Sequence, residues 1–249
     1  MALKEEFTKT GNWLFKWRSY FPLLIFPFML IALRESKYLE QTAGATAEYL
    51  WEGFCIAVSF TGLLIRCVVV GYTPKRTSGR NTEKQKAEML NTTGLYSVAR
   101  HPLYLGNFLI FSGMALFIQT IWFIILAILS FWLYYERIMF AEEEFLREKF
   151  GEAFLRWAEK TPAFLPKFRN WQKPALTLSF RNILKREYTA LFLIITSFSA
   201  LDILGDIFTH NKLNVEDSMW LILFIAGLII YLILRALKTK TKILNVYGR

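Results

Sequence analysis

The residues best suited to chemistry in this chain fall in two clusters. The first is Arg100-His101-Pro102-Leu103-Tyr104, with Tyr96 just ahead of it, and the second is Glu142-Glu143-Glu144. Singly, each has an ordinary role: a lone histidine is more often structural, and an arginine beside an apolar run can snorkel to head groups. Together they place a guanidinium, an imidazole, two phenols and three carboxylates where the chain enters and leaves apolar runs. Ionisable and aromatic groups at such a boundary point to a functional site. On a helix Glu136 and Glu143 share one face, as do Ile138 and Glu142. The combination describes a polar pocket open to water on one side and to lipid on the other.

Such a pocket suits a reaction between a water-soluble donor and a lipid acceptor, and S-adenosyl-L-methionine fits its groups. The faces of Tyr96 or Tyr104 can stabilise a sulfonium cation. A carboxylate can take the ribose diol or the ammonium, and His101 or Arg100 the cofactor's carboxylate. Methyl transfer is a direct displacement, so alignment and exclusion of water matter more than covalent catalysis. An anionic acceptor needs a cation to hold it and no general base, whereas an amine acceptor must lose a proton.

The elements that position these groups are apolar. Of the 249 residues, 54% are hydrophobic and 17% aromatic, arranged in blocks, which predicts an all-α polytopic integral membrane protein. The net charge of +10 flanks the apolar runs instead of forming one patch, which excludes nucleic acid as a partner. No protein partner can be inferred. Cys55 and Cys67 share one apolar segment, so a disulfide framework is not expected. There is no Gly-x-Gly-x-x-Gly, Walker, His-Glu-x-x-His or Cys-x-x-Cys pattern, and residues 1–11 lack a cleavable signal pattern.

Six apolar segments are predicted to span the membrane: Tyr20–Leu33, Phe54–Val70 (interrupted by Arg66), Leu103–Ile118, Ile121–Tyr135, Tyr188–Phe208 and Met219–Leu237. Only Gln119-Thr120 separates the third from the fourth, so these two form an antiparallel hairpin that returns the carboxylates to the level of Arg100–Tyr104. Positive connections alternate with neutral or acidic ones: residues 141–187 hold ten Lys or Arg, while 209–217 hold Lys212 against Glu216 and Asp217. This puts both termini and the pocket on the cytoplasmic side. The fourth segment continues as an amphipathic surface helix through Leu146, Phe150, Phe154 and Trp157, weakened at Gly151 and ended by Pro162 and Pro166. Asp202 and Asp206, in the outward half of the fifth segment, are expected simply to approach the far interface. Three regions follow: 1–87, two spans and a basic loop; 88–167, the core; and 168–249, a two-span extension.

Arg100-His101-Pro102-Leu103-Tyr104-Leu105-Gly106, then Gly113, Glu142-Glu143-x-x-Leu146-x-x-x-Phe150-Gly151, Pro162 and Pro166 resemble the membrane methyltransferase superfamily. Its members include isoprenylcysteine carboxyl methyltransferases and phospholipid N-methyltransferases, and the resemblance covers about residues 88–167. It implies adenosylmethionine contacts at Glu88, Met89, Leu90, Asn91, Tyr96, His101, Pro102, Leu103, Tyr104, Glu142 and its neighbour Glu143. The carboxyl methyltransferases carry an acceptor-binding Arg four residues before the first acidic residue. That position is Ile138 here, with Arg137 beside it, so Arg100 and Arg137 are the candidate catalytic residues. Residues 71–75, 77–82 and 90–94 are similar to bacterial relatives proposed to methylate the lipid A phosphate, which implies a place in a bacterial inner membrane. Lys75, Arg76 and Arg80 would suit an anionic head group. The resemblance implies a methyltransferase acting on a lipid head group, with lipid A phosphate the favoured acceptor. Alternatives are a phospholipid amine or isoprenylcysteine carboxyl acceptor, a membrane lipid reductase, or a non-catalytic lipid-binding or transport protein.

Overall fold

The computed structural model describes residues 2–74, 85, 87–210, 218–246 and 248. Lys75, Arg76 and Arg80, named above as suited to an anionic head group, lie outside them, as do Lys212, Glu216 and Asp217.

The described residues form helices and connecting turns, with no strand and one isolated bridge between Gly94 and Gln172. The helices are α1 (Leu3–Trp17), α2 (Phe21–Ala32), α3 (Tyr38–Ala43), α4 (Ala45–Tyr72), α5 (Pro102–Phe117), α6 (Ile121–Phe150), α7 (Glu152–Lys160), α8 (Phe180–His210) and α9 (Ser218–Lys240). Among the described residues, five helical stretches are long and apolar enough to cross a membrane, and α5 is a shorter apolar helix. The chain is thus an all-α polytopic membrane protein.

Two elements depart from expectation. Residues 3–17, ahead of the first predicted span, form a helix that packs on α6. Phe7 meets Phe140 edge-on at 5.6 Å, and a Cβ at Gly11 would lie 2.1 Å from the Arg137 carbonyl. The amphipathic continuation of the fourth span is two helices, not one. Gly151 adopts φ +51°, a conformation that suits a residue without Cβ, so α6 stops at Phe150 and α7 starts afresh.

The α4–α5 pair is the framework of the site. Its contact is made by small residues, since a Cβ on Gly113 would lie 2.2 Å from Ser59 Oγ and one on Gly62 would lie 2.4 Å from the Gly106 carbonyl. In lipid, where there is little hydrophobic drive between helices, such close approach is a main source of association. The α5–α6 hairpin turns as expected through Gln119, whose φ of +65° is stabilised by its side chain. Its amide nitrogen donates to both Glu48 oxygens (2.8 and 2.7 Å), and its Oε1 accepts from the Leu39 amide (2.9 Å). Rings of Phe21, Phe108, Phe111, Phe131 and Tyr135 fill the space between α2, α5 and α6.

Helix α8 is tied to the bundle at both ends. Near its start Asn182 donates to the Val70 carbonyl (2.8 Å), and Arg66 pairs with Glu187. Near its end lies a finding the sequence did not suggest. Asp202 does not merely approach the interface: it is buried and accepts from Lys37 Nζ (2.8 Å), with Asp206 at 3.5 Å and Glu52 at 3.8 Å from the same nitrogen. Buried charge is tolerated only when paired, which explains the clustering. Helix α9 covers α8 through Phe198–Trp220 and Phe192–Tyr231 and turns most of its surface outward.

Candidate active site at the head of the helical hairpin

The backbone ahead of α5 is held by the segment that follows α7. The amides of Arg100 and His101 donate to the carbonyls of Pro162 (2.8 Å) and Ala163 (3.0 Å), and the Lys167 amide donates to Val98 (2.9 Å). Pro162 therefore does more than end a helix. Pro102 occupies the first turn of α5, where its missing N–H costs nothing. With the backbone fixed on both sides, the Arg100 and His101 side chains reach across to α6.

There the two adjacent carboxylates divide the partners. Glu143 takes the cations: Arg100 donates from Nε (2.8 Å) and Nη2 (3.1 Å), and His101 Nε2 lies 2.9 Å away. Glu142 takes the Tyr104 hydroxyl (2.9 Å) and lies 3.6 Å from His101 Nδ1. Arg100 Nη1 also donates to the carbonyls of Ala158 and Thr161, both at 2.8 Å. Four of its five N–H donors are thus engaged, which makes Arg100 a brace between α6 and α7. Glu144 looks away from this group, pairing with Lys4 (2.9 Å) and Arg147 (3.0 Å). His101 is buried and stacks on Tyr104. Burial favours its neutral form, but the flanking Glu142 and Glu143 outweigh that, and its pKa lies above the ordinary imidazole value.

Beside this network opens a cavity of about 990 Å³, the upper end of the usual size for small-molecule sites. Among the described residues, its polar end is lined by Met89, Leu90, Asn91, Tyr96, Arg100, His101, Pro102, Leu103, Tyr104 and Glu142. The structure thus brings ten of the thirteen sequence-predicted site residues to one wall. Three are placed elsewhere. Glu88 is exposed and does not line the cavity. Glu143 stands behind His101. Arg137 turns to α1, with its guanidinium 3.7 Å from the Phe7 ring centroid and Nη1 3.4 Å from Thr10 Oγ1. Ile138, at the position of the family arginine, is wholly buried. Sequence reasoning missed Arg18, Asn107, Tyr135, Trp157 and Glu187, all of which line the cavity, and treated Arg66, which also lines it, as a mere interruption. The available signal was a charged residue inside an apolar run.

The donor set fits adenosylmethionine. Glu142 and Asn91 offer polar contacts for the ribose or ammonium, and the Tyr96 and Tyr104 rings offer faces for a cation. Among the described residues, the backbone N–H groups of Met89, Leu90 and Asn91 donate to no other protein group. Away from this end the walls are apolar, formed by Ile25 and Met29 of α2, Met114 of α5, and Leu193, Leu201 and Leu204 of α8.

Residues 79–153 match the family model described as phospholipid methyltransferase. The chain is 37% identical over 83 residues to the nickel-cobalt-cadmium resistance protein NccN of Alcaligenes xylosoxydans xylosoxydans, a stretch covering 33% of this chain and 38% of that protein. It is 36% identical over 83 residues to the cobalt-zinc-cadmium resistance protein CzcN of Cupriavidus metallidurans, with the same coverage. To the protein-S-isoprenylcysteine O-methyltransferase of Schizosaccharomyces pombe it is 27% identical over 85 residues, covering 34% of this chain and 36% of that one. The chain therefore spans well under half the length of the curated relatives it matches. No solved structure matches it. The family match over residues 79–153 and the likeness to the isoprenylcysteine methyltransferase make the region around the helical hairpin similar to integral membrane methyltransferases.

Proposed function

We propose that the protein is an S-adenosylmethionine-dependent methyltransferase acting on the head group of a membrane lipid, with a lipid phosphate such as that of lipid A as the favoured acceptor. The observation that carries this is the junction, in one cavity, of a polar end built from Glu142, Tyr104 and His101 with an apolar remainder facing α2 and α8. The first suits a water-soluble donor, the second a hydrocarbon chain. When bound, adenosylmethionine supplies an electrophilic methyl group on a sulfonium. Glu142 and the 89–91 backbone would hold it, with Tyr104 orienting Glu142 and the Arg100–Glu143–His101 brace bounding the polar end. The apolar walls exclude water from the transfer. An anionic acceptor needs no general base but does need a cation, and Arg66 is among the residues that line the cavity.

Calorimetry of the detergent-solubilised protein with adenosylmethionine tests the cofactor reading: Glu142→Gln and His101→Ala each weaken binding, and unchanged affinity in both removes the site assignment. Labelled adenosylmethionine with total lipid then tests the acceptor. Label in a phosphate ester supports the reading, and label in a phosphatidylethanolamine derivative keeps the enzyme class and moves the acceptor atom to nitrogen.

A further inference from the structure

Where the family pattern has an acceptor-binding arginine this chain has the buried, uncharged Ile138, and Arg137 faces α1. The cation that an anionic acceptor requires must come from elsewhere. Arg100 is nearly saturated by Glu143 and two carbonyls, and the Arg18 guanidinium is stacked 3.9 Å from the Phe15 ring centroid. Arg66 remains.

Arg66 projects from α4 over Gly106 of α5, where a Cβ would lie only 2.7 Å from its Cγ. Its side chain is 17% exposed and lines the cavity. Glu187 of α8 grips it side-on, through Nε (2.8 Å) and Nη2 (3.1 Å), and Nη1 donates to Asn107 Oδ1. Three of five N–H donors are used, leaving one on each Nη. A guanidinium keeps its charge at this depth, so a carboxylate is needed to offset the cost of burying it, and the side-on grip leaves its outer edge for a second anion. Asn107 lies one turn beyond Tyr104 on the same helix face, about 4.5 Å deeper. Arg66 therefore borders the cavity between the cofactor-facing end and the apolar limb, where a lipid head group reacting at the polar end would lie.

We propose that Arg66, held by Glu187 and Asn107, binds the anionic head group of the methyl acceptor. The inference rests on the methyltransferase reading. A lone pair on the acceptor oxygen forms the new O–CH3 bond as the S–CH3 bond breaks, the bonding electrons staying on sulfur. A phosphate monoester dianion and a sulfonium become a methyl phosphodiester monoanion and a thioether, and no proton moves. Cancelling two charges is favoured where the dielectric constant is low. Because Glu187 belongs to α8, beyond residues 79–153, the C-terminal helix pair takes part in choosing the acceptor.

The test uses the full chain in detergent, labelled adenosylmethionine, and total lipid of the expression host separated into anionic and zwitterionic fractions. Wild type labels the anionic fraction. Arg66→Gln lowers kcat/KM for that fraction roughly 10- to 150-fold, the worth of one charge-assisted hydrogen bond, while the cofactor Kd from calorimetry changes less than about twofold. Arg66→Lys recovers part of the activity, because charge returns without the fork. Should Arg66→Gln fail to fold, the paired Arg66→Met/Glu187→Leu replacement removes both charges at once, and it too binds cofactor but does not transfer. Wild-type activity in Arg66→Gln, label in the zwitterionic fraction, or a parallel loss of cofactor binding overturns the assignment. Wild type that binds cofactor but labels no anionic lipid also overturns it, whereas wild type that binds no cofactor overturns the methyltransferase reading itself.

Discussion

Glu142 and Glu143 are neighbours in sequence, yet their environments predict opposite consequences for the same substitution. Replacing Glu143 with Gln leaves one oxygen, which can still accept from Arg100 Nε and His101 Nε2, and sets an NH2 group against Arg100 Nη2. One charge-assisted bond is lost outright, and the other two lose the attraction of the carboxylate charge. At about 1.5 kcal/mol for the first and about 1 kcal/mol for each of the others the sum approaches 3.5 kcal/mol. The side chain is 25% exposed, and solvent screening brings the expected loss toward about 2 kcal/mol. In a chain of this length that is a fall in Tm of about 4 to 8 °C. Glu142→Gln keeps the Tyr104 hydrogen bond and costs under about 1 kcal/mol, but it removes the charge that faces the cavity. Thermal unfolding in detergent, run beside calorimetry with adenosylmethionine, reads both quantities. Expected are a destabilised Glu143→Gln with near-normal affinity at a temperature where it is folded, and a stable Glu142→Gln with affinity reduced roughly tenfold or more. Equal Tm values, or a greater loss of affinity in Glu143→Gln than in Glu142→Gln, would refute the division of labour.

Three further outcomes are expected. The raised pKa of His101 means that its pairing with Glu142 and Glu143 stabilises the fold fully below about pH 6.5 and is lost as pH rises through the raised folded-state value; His101→Gln should flatten that part of the Tm–pH curve, and an identical slope in the variant would count against the pairing. Gly113→Val should destabilise the α4–α5 pair by about 1 to 3 kcal/mol, because the new Cβ would sit 2.2 Å from Ser59 Oγ and 2.5 Å from the Cys55 carbonyl; an unchanged Tm would show that the helices can separate at that point. Arg137→Ala should leave kcat/KM for lipid within about threefold of wild type and cost only about 0.5 to 1 kcal/mol, from its contact with Phe7; a large selective loss of turnover would return Arg137 to the acceptor site.

Some of this was legible in the chain because it depends on local rules. Two-residue spacing at Gln119-Thr120 forces a hairpin, and a hairpin brings Arg100–Tyr104 back beside Glu142–Glu143 whatever the rest of the bundle does. Paired motifs of this kind are read from order and spacing. The helix at residues 3–17 was hidden because its polarity suggests a loop, and only its close approach at Gly11 to α6 gives it a partner. Gly151 could have been a weak point in one helix or a break between two, and the positive φ decided for the break.

The membrane character, the hairpin and the two clusters that meet at its head can be read from the chain, since hydropathy, connection length and helical periodicity act within a few tens of residues. The tertiary structure alone decided how those groups are shared out. It made Arg100 a brace, turned Arg137 toward α1, joined Lys37 to Asp202, and set Arg66 against Glu187 on the cavity wall. Each of these depends on which side of a helix meets which neighbour. A buried charge in lipid must find its counter-charge across helices, so the partner is chosen by packing between residues far apart in the chain.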